Sequence, residues 1–197
     1  MSKVAVFIDN SNVFRSILKI KKNGDKSWEC FYDPYQLAVK LAGNRELVSV
    51  NFYCVHPPVY LLDEDDAHKR KYVLTERYYS TIEKLPKTEV KYGDLRGSRG
   101  STQEKNVDTQ IVSDIITQAA LSKFDIAIIV ANDGDYVSAI ENAKTFGKKI
   151  EVVYFRKGSS MNLRNSCDLA RRARKAHFPA LKFNKIVDLG GDKKEAT

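Results

Sequence analysis

Four aspartates have the type and placement to do chemistry. Asp9 closes an apolar run, Val4-Ala5-Val6-Phe7-Ile8, and opens the string Asp9-Asn10-Ser11-Asn12. Asp133 and Asp135 flank Gly134 after a second apolar run, Ile126-Ala127-Ile128-Ile129-Val130. Asp108 stands in the first turn of the helical stretch leading to that run. Carboxylates held close together repel and raise one another's pKa values. A hard cation that prefers oxygen ligands and keeps open water positions, Mg²⁺ or Mn²⁺, neutralises such a set. A cation so held can polarise a phosphodiester and generate an attacking hydroxide. Each aspartate also has a plainer reading. Asp9 or Ser11 suits a helix cap, Asp108 suits the helix dipole, and Asp133 and Asp135 suit a turn around Gly134. Three separate acidic points at one expected edge favour the shared site. Asp114 is a weaker member, because six residues from Asp108 is about 240° around a helix.

The elements that must position these residues alternate strand and helix. Lys3 to Ile8 reads as a strand buried on both faces. Helix is expected over residues 10–22, ended by Asn23-Gly24-Asp25, and again from the cap Asp33-Pro34 to about Ala42. A second strand is expected over 47–55, a long charged helix over 63–85 and a third strand over 88–92. Residues 95–104 read as a loop. Helix follows over 106–122, strand over 125–131, helix over 136–146 and strand over 149–155. Helical sequence is expected from about Ser160 to Ala176, and a short last strand over 183–187. This alternation implies a parallel sheet sandwiched by helices, whose ligand sites lie beyond the carboxyl ends of the strands. One domain is expected over residues 1–187, with a polar tail over 188–197.

The chain has 197 residues, with 33 Lys and Arg against 25 Asp and Glu, a net charge of +8. That length supports a core without metal or disulfide staples. No apolar run approaches the roughly 20 residues of a membrane helix, so no membrane partner is expected. Three scattered cysteines make no zinc or disulfide framework and suit the cytoplasm. The basic excess suggests a polyanion such as nucleic acid as partner. It leaves open whether the chain is a monomer or a homodimer.

Basic loops lie where such a partner would pass. Arg96, Arg99 and Lys105 sit in the Gly/Ser-rich stretch just before Asp108, either holding a backbone phosphate or merely solvated. Arg156, Lys157, Ser159 and Ser160 follow the fifth strand and open a helix, a setting that suits phosphate, with Arg164 beside them. The run Arg171-Arg172-Ala173-Arg174-Lys175 reads first as a salt-bridged helix face with Asp168 and second as an RNA contact. Trp28, Phe31, Tyr32 and Tyr35 could stack bases, but a hydrophobic seam is the simpler reading. Tyr136 is expected to pack.

Three segments carry a family resemblance. Val6 to Asn12, Glu104 to Asp108 and Ile129 to Tyr136 resemble, in order and spacing, the signatures of NYN domains, the branch of PIN-like nucleases that includes LabA-type proteins. Gly147 to Val152 and Ser160 to Asp168 resemble segments that follow in that family. The resemblance implies a PIN-like α/β/α sandwich and metal-dependent cleavage of RNA. It places Asp9, Asp108, Asp133 and Asp135 on the acidic Mg²⁺ or Mn²⁺ site. Asn12 falls on a polar companion that orients Asp9 or the substrate. Many relatives have Ser or Gly at Asn132. Residues 23–45 and 56–86 match nothing in the family pattern. The reading that results is an endonuclease on single-stranded RNA. One rival is a module that binds RNA without cutting it. Another is a phosphatase of the haloacid dehalogenase type, disfavoured because Ser11 stands where that family needs a second aspartate.

Overall fold

The structure, a computed structural model, describes residues 1–97 and 103–189. Its centre is a seven-stranded sheet in the order β4-β3-β2-β1-β5-β6-β7. The strands are β1 (Lys3–Asp9), β2 (Glu46–Val55), β3 (Thr88–Arg96), β4 (Gln103–Lys105), β5 (Ile126–Val130), β6 (Lys149–Tyr154) and β7 (Leu169–Arg172). All neighbours run parallel except β3 and β4. The chain builds outward from β1 through β2 and β3, then returns to add β5, β6 and β7 on the other side. β1 and β5 therefore meet at the point where the strand order reverses, which leaves a crevice at their carboxyl ends.

Helices cover both faces, giving the expected three layers. Val4, Val6 and Ile8 of β1 enter one core with α1 (Asn10–Lys22), α2 (Pro34–Ala42) and α3 (Asp66–Ile82). Ala5 and Phe7 enter the opposite core with α4 (Val107–Ala120), α5 (Val137–Thr145) and α6 (Met161–Ser166). Successive strand residues face opposite sides, so continuous apolar runs are what a sheet buried on both faces requires. Asp33 caps α2 as its sequence suggests, accepting from the Gln36 N–H at 2.9 Å.

Three expectations are corrected. Residues 95–104 are not wholly loop, because β3 runs on to Arg96 and β4 pairs back against it, Arg96 opposite Gln103 and Asp94 opposite Lys105. The helix expected to Ala176 stops at Ser166, and β7 extends the sheet edge instead. Asp168 is what ends it: its carboxylate accepts from the Ile150 N–H at 2.7 Å and pairs with Lys144 at 3.2 Å. Arg171 therefore meets Glu151 of β6, not Asp168, and Glu151 also receives Arg45 at 2.6 Å. The last expected strand is absent from the described residues. Phe183 instead packs against Phe31 and Tyr78, with ring centroids 5.4 and 5.9 Å apart. The tail from residue 190 lies outside the described residues. Among the described residues, no helix is long and apolar enough to cross a membrane.

The return from β4 into α4 fixes where Asp108 lies. Asn106 holds the left-handed conformation, φ 69°, that a short polar side chain tolerates. Its amide donates to Asp94 at 2.6 Å. Gly93 lies directly beneath; a Cβ there would stand 2.5 Å from Val107 Cγ2 and 2.8 Å from the Lys105 carbonyl oxygen. The Gly93→Ala variant is expected to lose about 1–3 kcal/mol by overpacking. A thermal melt should show a Tm drop of at least about 2 °C.

Candidate active site

Asp9 serves two elements at once. It continues the Ala5–Phe7 side of β1, and it caps α1 by accepting from the Asn12 N–H at 2.9 Å. Its other carboxylate oxygen accepts from the Tyr136 hydroxyl at 2.8 Å. The same hydroxyl oxygen lies 2.7 Å from Asp108 Oδ1. The Asp9 and Asp108 carboxylates are thus no farther apart than two hydrogen bonds in series. A phenol carries one proton and can donate to one acceptor at a time. Two carboxylates compete for it, and the site has one positive hydrogen too few.

Burial raises the cost of that shortage. Asp9 is only 5% exposed, and its pKa is pushed up to about 6. Desolvation is the main cause, and the nearby Asp108 adds to it. The Asn12 N–H, the Tyr136 hydroxyl and Arg15 oppose the shift. The Tyr136 phenol is itself pushed well above its ordinary pKa, by burial first and then by the two carboxylates, so it stays protonated.

These groups open into a cavity of about 570 Å³ whose walls include Asp9, Asn12, Asp108 and Asp133. Asp133 caps a short 3-10 turn over Gly134–Tyr136 by accepting from the Asp135 N–H at 3.2 Å. Asp135 is exposed on that turn and is not part of the cavity wall. Among the described residues, no three His, Cys, Asp or Glu side chains are gathered into a ready-made metal cage. The donor set nonetheless fits Mg²⁺, which keeps several waters and binds through one or two carboxylates together with substrate phosphates. Asp9 and Asp108, which face one phenol proton between them, are the carboxylates that such a cation would use.

Asn12 and Asn132 hold the two strand ends together. Asn12 Oδ1 accepts from the Asn132 N–H at 3.0 Å. The buried Asn132 side chain accepts from the Phe155 N–H at 2.7 Å and donates to the Lys157 carbonyl at 3.1 Å. Its carbonyl accepts from the Ser160 N–H at 2.9 Å. Ser160 caps α6 and lies where a Cβ on Gly134 would be 2.8 Å from its hydroxyl oxygen. Ser160 is therefore tied into the scaffold, with the half-buried Ser159 next to it.

The expected cations divide. Arg96 pairs loosely with Asp94 at 3.7 Å, Lys105 is exposed on β4, and neither lines the acidic cavity. Arg99 lies outside the described residues. Arg156 and Lys157 line a neighbouring groove. Arg164 lies over the Tyr154 ring at 5.1 Å, and its buried Nε has no hydrogen-bond partner among the described residues.

Two functional positions escape the sequence reading. Tyr136 is fully buried, as expected of a packing residue, yet its hydroxyl touches both carboxylates. Arg15 lines the cavity and pairs with Glu104 at 2.8 Å. Its signal was available, since Asn12 and Arg15 are three apart and share a helix face.

A seven-stranded, mainly parallel sandwich with its carboxylates at the β1–β5 crevice has the PIN-like form. The NYN domain model matches residues 3–171, and the chain belongs to that family, a PIN-like nuclease family. It is 28% identical over 167 residues to the "Low amplitude and bright protein LabA" of Synechococcus elongatus, covering 85% of this chain and 81% of that protein. The crystal structure of a protein of unknown function from Vibrio parahaemolyticus shares the fold, with a TM-score of 0.62 at 19% identity. That match covers 90% of this chain and 95% of the other.

The raised pKa makes Asp9 a stability liability in metal-free buffer. Its folded pKa of about 6 lies above the ordinary 3.8. The penalty is therefore absent below about pH 4, grows between the two values and is full above pH 6. Asparagine keeps the cap oxygen, and its amide donates to the Tyr136 oxygen, which frees the phenol proton for Asp108. In EDTA at pH 7.5, Asp9→Asn is expected to raise Tm by several degrees, from a gain of up to about 3 kcal/mol. The gain should vanish near pH 4. An Asn variant less stable than the parent at pH 7.5 would contradict this account.

Proposed function

We propose that this protein is a metal-dependent ribonuclease that cuts single-stranded RNA internally, in the cytoplasm. One observation carries the reading: the buried Asp9 and the Asp108 carboxylate share one tyrosine proton inside an open cavity at the strand-order reversal. Asp9 and Asp108 would hold Mg²⁺ or Mn²⁺, with Asp133 on the same wall and Asp135 on the neighbouring turn outside it. When bound there, such a cation supplies Lewis acidity toward the phosphodiester and a nucleophile at neutral pH.

The chain's own residues do the rest. Tyr136 keeps its proton and fixes the facing directions of the two carboxylates. Asn12 locks the β5 end to α1, so that Asp133 and Asp9 keep their spacing. Arg15 offers a positive charge to a phosphate at the cavity mouth. Arg96 and Lys105 on one side, and Arg156 to Arg164 on the other, hold flanking phosphates. Support from the family is at the level of nuclease activity; the preference for single strands rests on an open cavity and loops in place of a groove-reading helix.

The test is labelled single-stranded RNA incubated with the protein and Mg²⁺, Mn²⁺ or EDTA. Cleavage is expected with either metal and none with EDTA. Asp108→Asn and Asp133→Asn should each lose more than about 100-fold. Tyr136→Phe, which only supports the ligands, should fall in the roughly 10–100-fold range. Undiminished cleavage by Asp108→Asn would end the proposal. Tight binding with no cleavage under any divalent metal would favour the non-cutting module instead.

A further inference from the structure

A second groove lies one helical turn along α1 from the acidic cavity. Its volume is about 280 Å³. Four cations line it, Lys19 from α1, Arg156 and Lys157 from the loop after β6, and Arg172 from the end of β7. All four are exposed, and none pairs with a carboxylate among the described residues. Asp25, the single acid on the groove wall, is taken up by the Ser27 N–H and hydroxyl. The floor is the aromatic margin of the core, where the 8% of Trp28 left exposed meets the groove beside Phe155, ring centroids 5.8 Å apart.

Helix α1 contributes to both cavities. Asn12 lines the acidic cavity and Ser16 lines the basic groove. They are four residues apart on α1, one turn of about 5.4 Å. The Asn132 amide reaches toward the same groove, donating to the Lys157 carbonyl at 3.1 Å and to Ser16 Oγ at 3.4 Å. Unpaired cations over an aromatic floor are the pattern that binds a single strand, with phosphates on the charges and a base against the rings.

We infer that this groove is a nucleotide subsite that holds the RNA residue next to the one at the acidic cavity. The phosphate lies among Lys19, Arg156, Lys157 and Arg172, and the base lies against Trp28. The strand's identity as RNA rests on the ribonuclease reading above. The subsite sets how far from an end the enzyme can cut, because a strand must reach both cavities.

Binding can be read apart from cleavage. A fluorescein-labelled 12-nucleotide oligouridine is titrated in EDTA, with anisotropy followed at several salt concentrations. Trp28 is the chain's one tryptophan, so its emission reports the groove directly. Saturating unlabelled oligouridine is expected to shift or quench that emission. Lys19→Ala/Arg172→Ala should weaken binding at least tenfold and flatten the log K against log salt slope by about 0.7, the value for one lost phosphate contact. Lys123→Ala/Lys149→Ala removes the same charge from the opposite end of the sheet and should change neither. An unmoved Trp28 spectrum at saturation, or an unchanged affinity and slope in Lys19→Ala/Arg172→Ala, overturns the subsite. If the subsite results hold but no divalent metal produces cleavage, the nuclease reading fails and the groove stands as a binding site. If cleavage occurs while the groove variants bind as the parent does, the groove fails and the nuclease reading stands.

Discussion

One hydroxyl proton between two carboxylates sets the terms for the rest of this structure. Tyr136 can serve Asp9 or Asp108, never both in full, and Asp9 is buried where an unbalanced charge is costly. A fold that existed only for stability would place an amide or a second donor at this point. Here the shortage is kept, and the surrounding scaffold holds it in place. Asp9 is fixed by β1 and by its cap role, Tyr136 by full burial, and Asp108 by the tight passage of Gly93 beneath Val107. The arrangement keeps two carboxylates facing one phenol proton at the strand-order reversal.

The scaffold explains why the pieces meet there. Strand alternation sends Ala5, Phe7 and then Asp9 toward the face covered by α4 and α5. The order reversal between β1 and β5 leaves no crossover helix above that crevice. Asn132 then joins four segments, accepting or donating through its side chain and backbone to Asn12, Phe155, Lys157 and Ser160. Glycine, with no side chain, could make neither of the side-chain bonds. The partners of Asn132 reach both cavities: Asn12 lines the acidic one, and Phe155 and Lys157 line the basic groove.

Much of this was legible in the sequence, for identifiable reasons. The buried strands announce themselves because both faces are covered, so their runs are continuous. The Asp33-Pro34 cap and α1 over residues 10–22 were readable from local chemistry alone. The failures came where distant partners override local periodicity. Asp168, Arg171 and Lys175 recur at helical spacing, yet the unpaired edge of β6 and the free Ile150 N–H draw that segment into β7. The loop before Asp108 hid a hairpin because Gln103-Glu104-Lys105 has no apolar alternation to reveal it. Tyr136 was read as packing because no sequence pattern shows where a buried hydroxyl points.

The two margins of the sheet have a consequence beyond the site. Strand β4 is three exposed polar residues, and β7 is only four residues long, ending in Arg171 and Arg172. Short, charged margins offer a passing strand few backbone groups to pair with and a like charge to repel it. The sheet is therefore finished at seven strands and resists growth by edge addition. Where copies of a chain with a net charge of +8 crowd together, such margins give one copy's sheet little to add to another's.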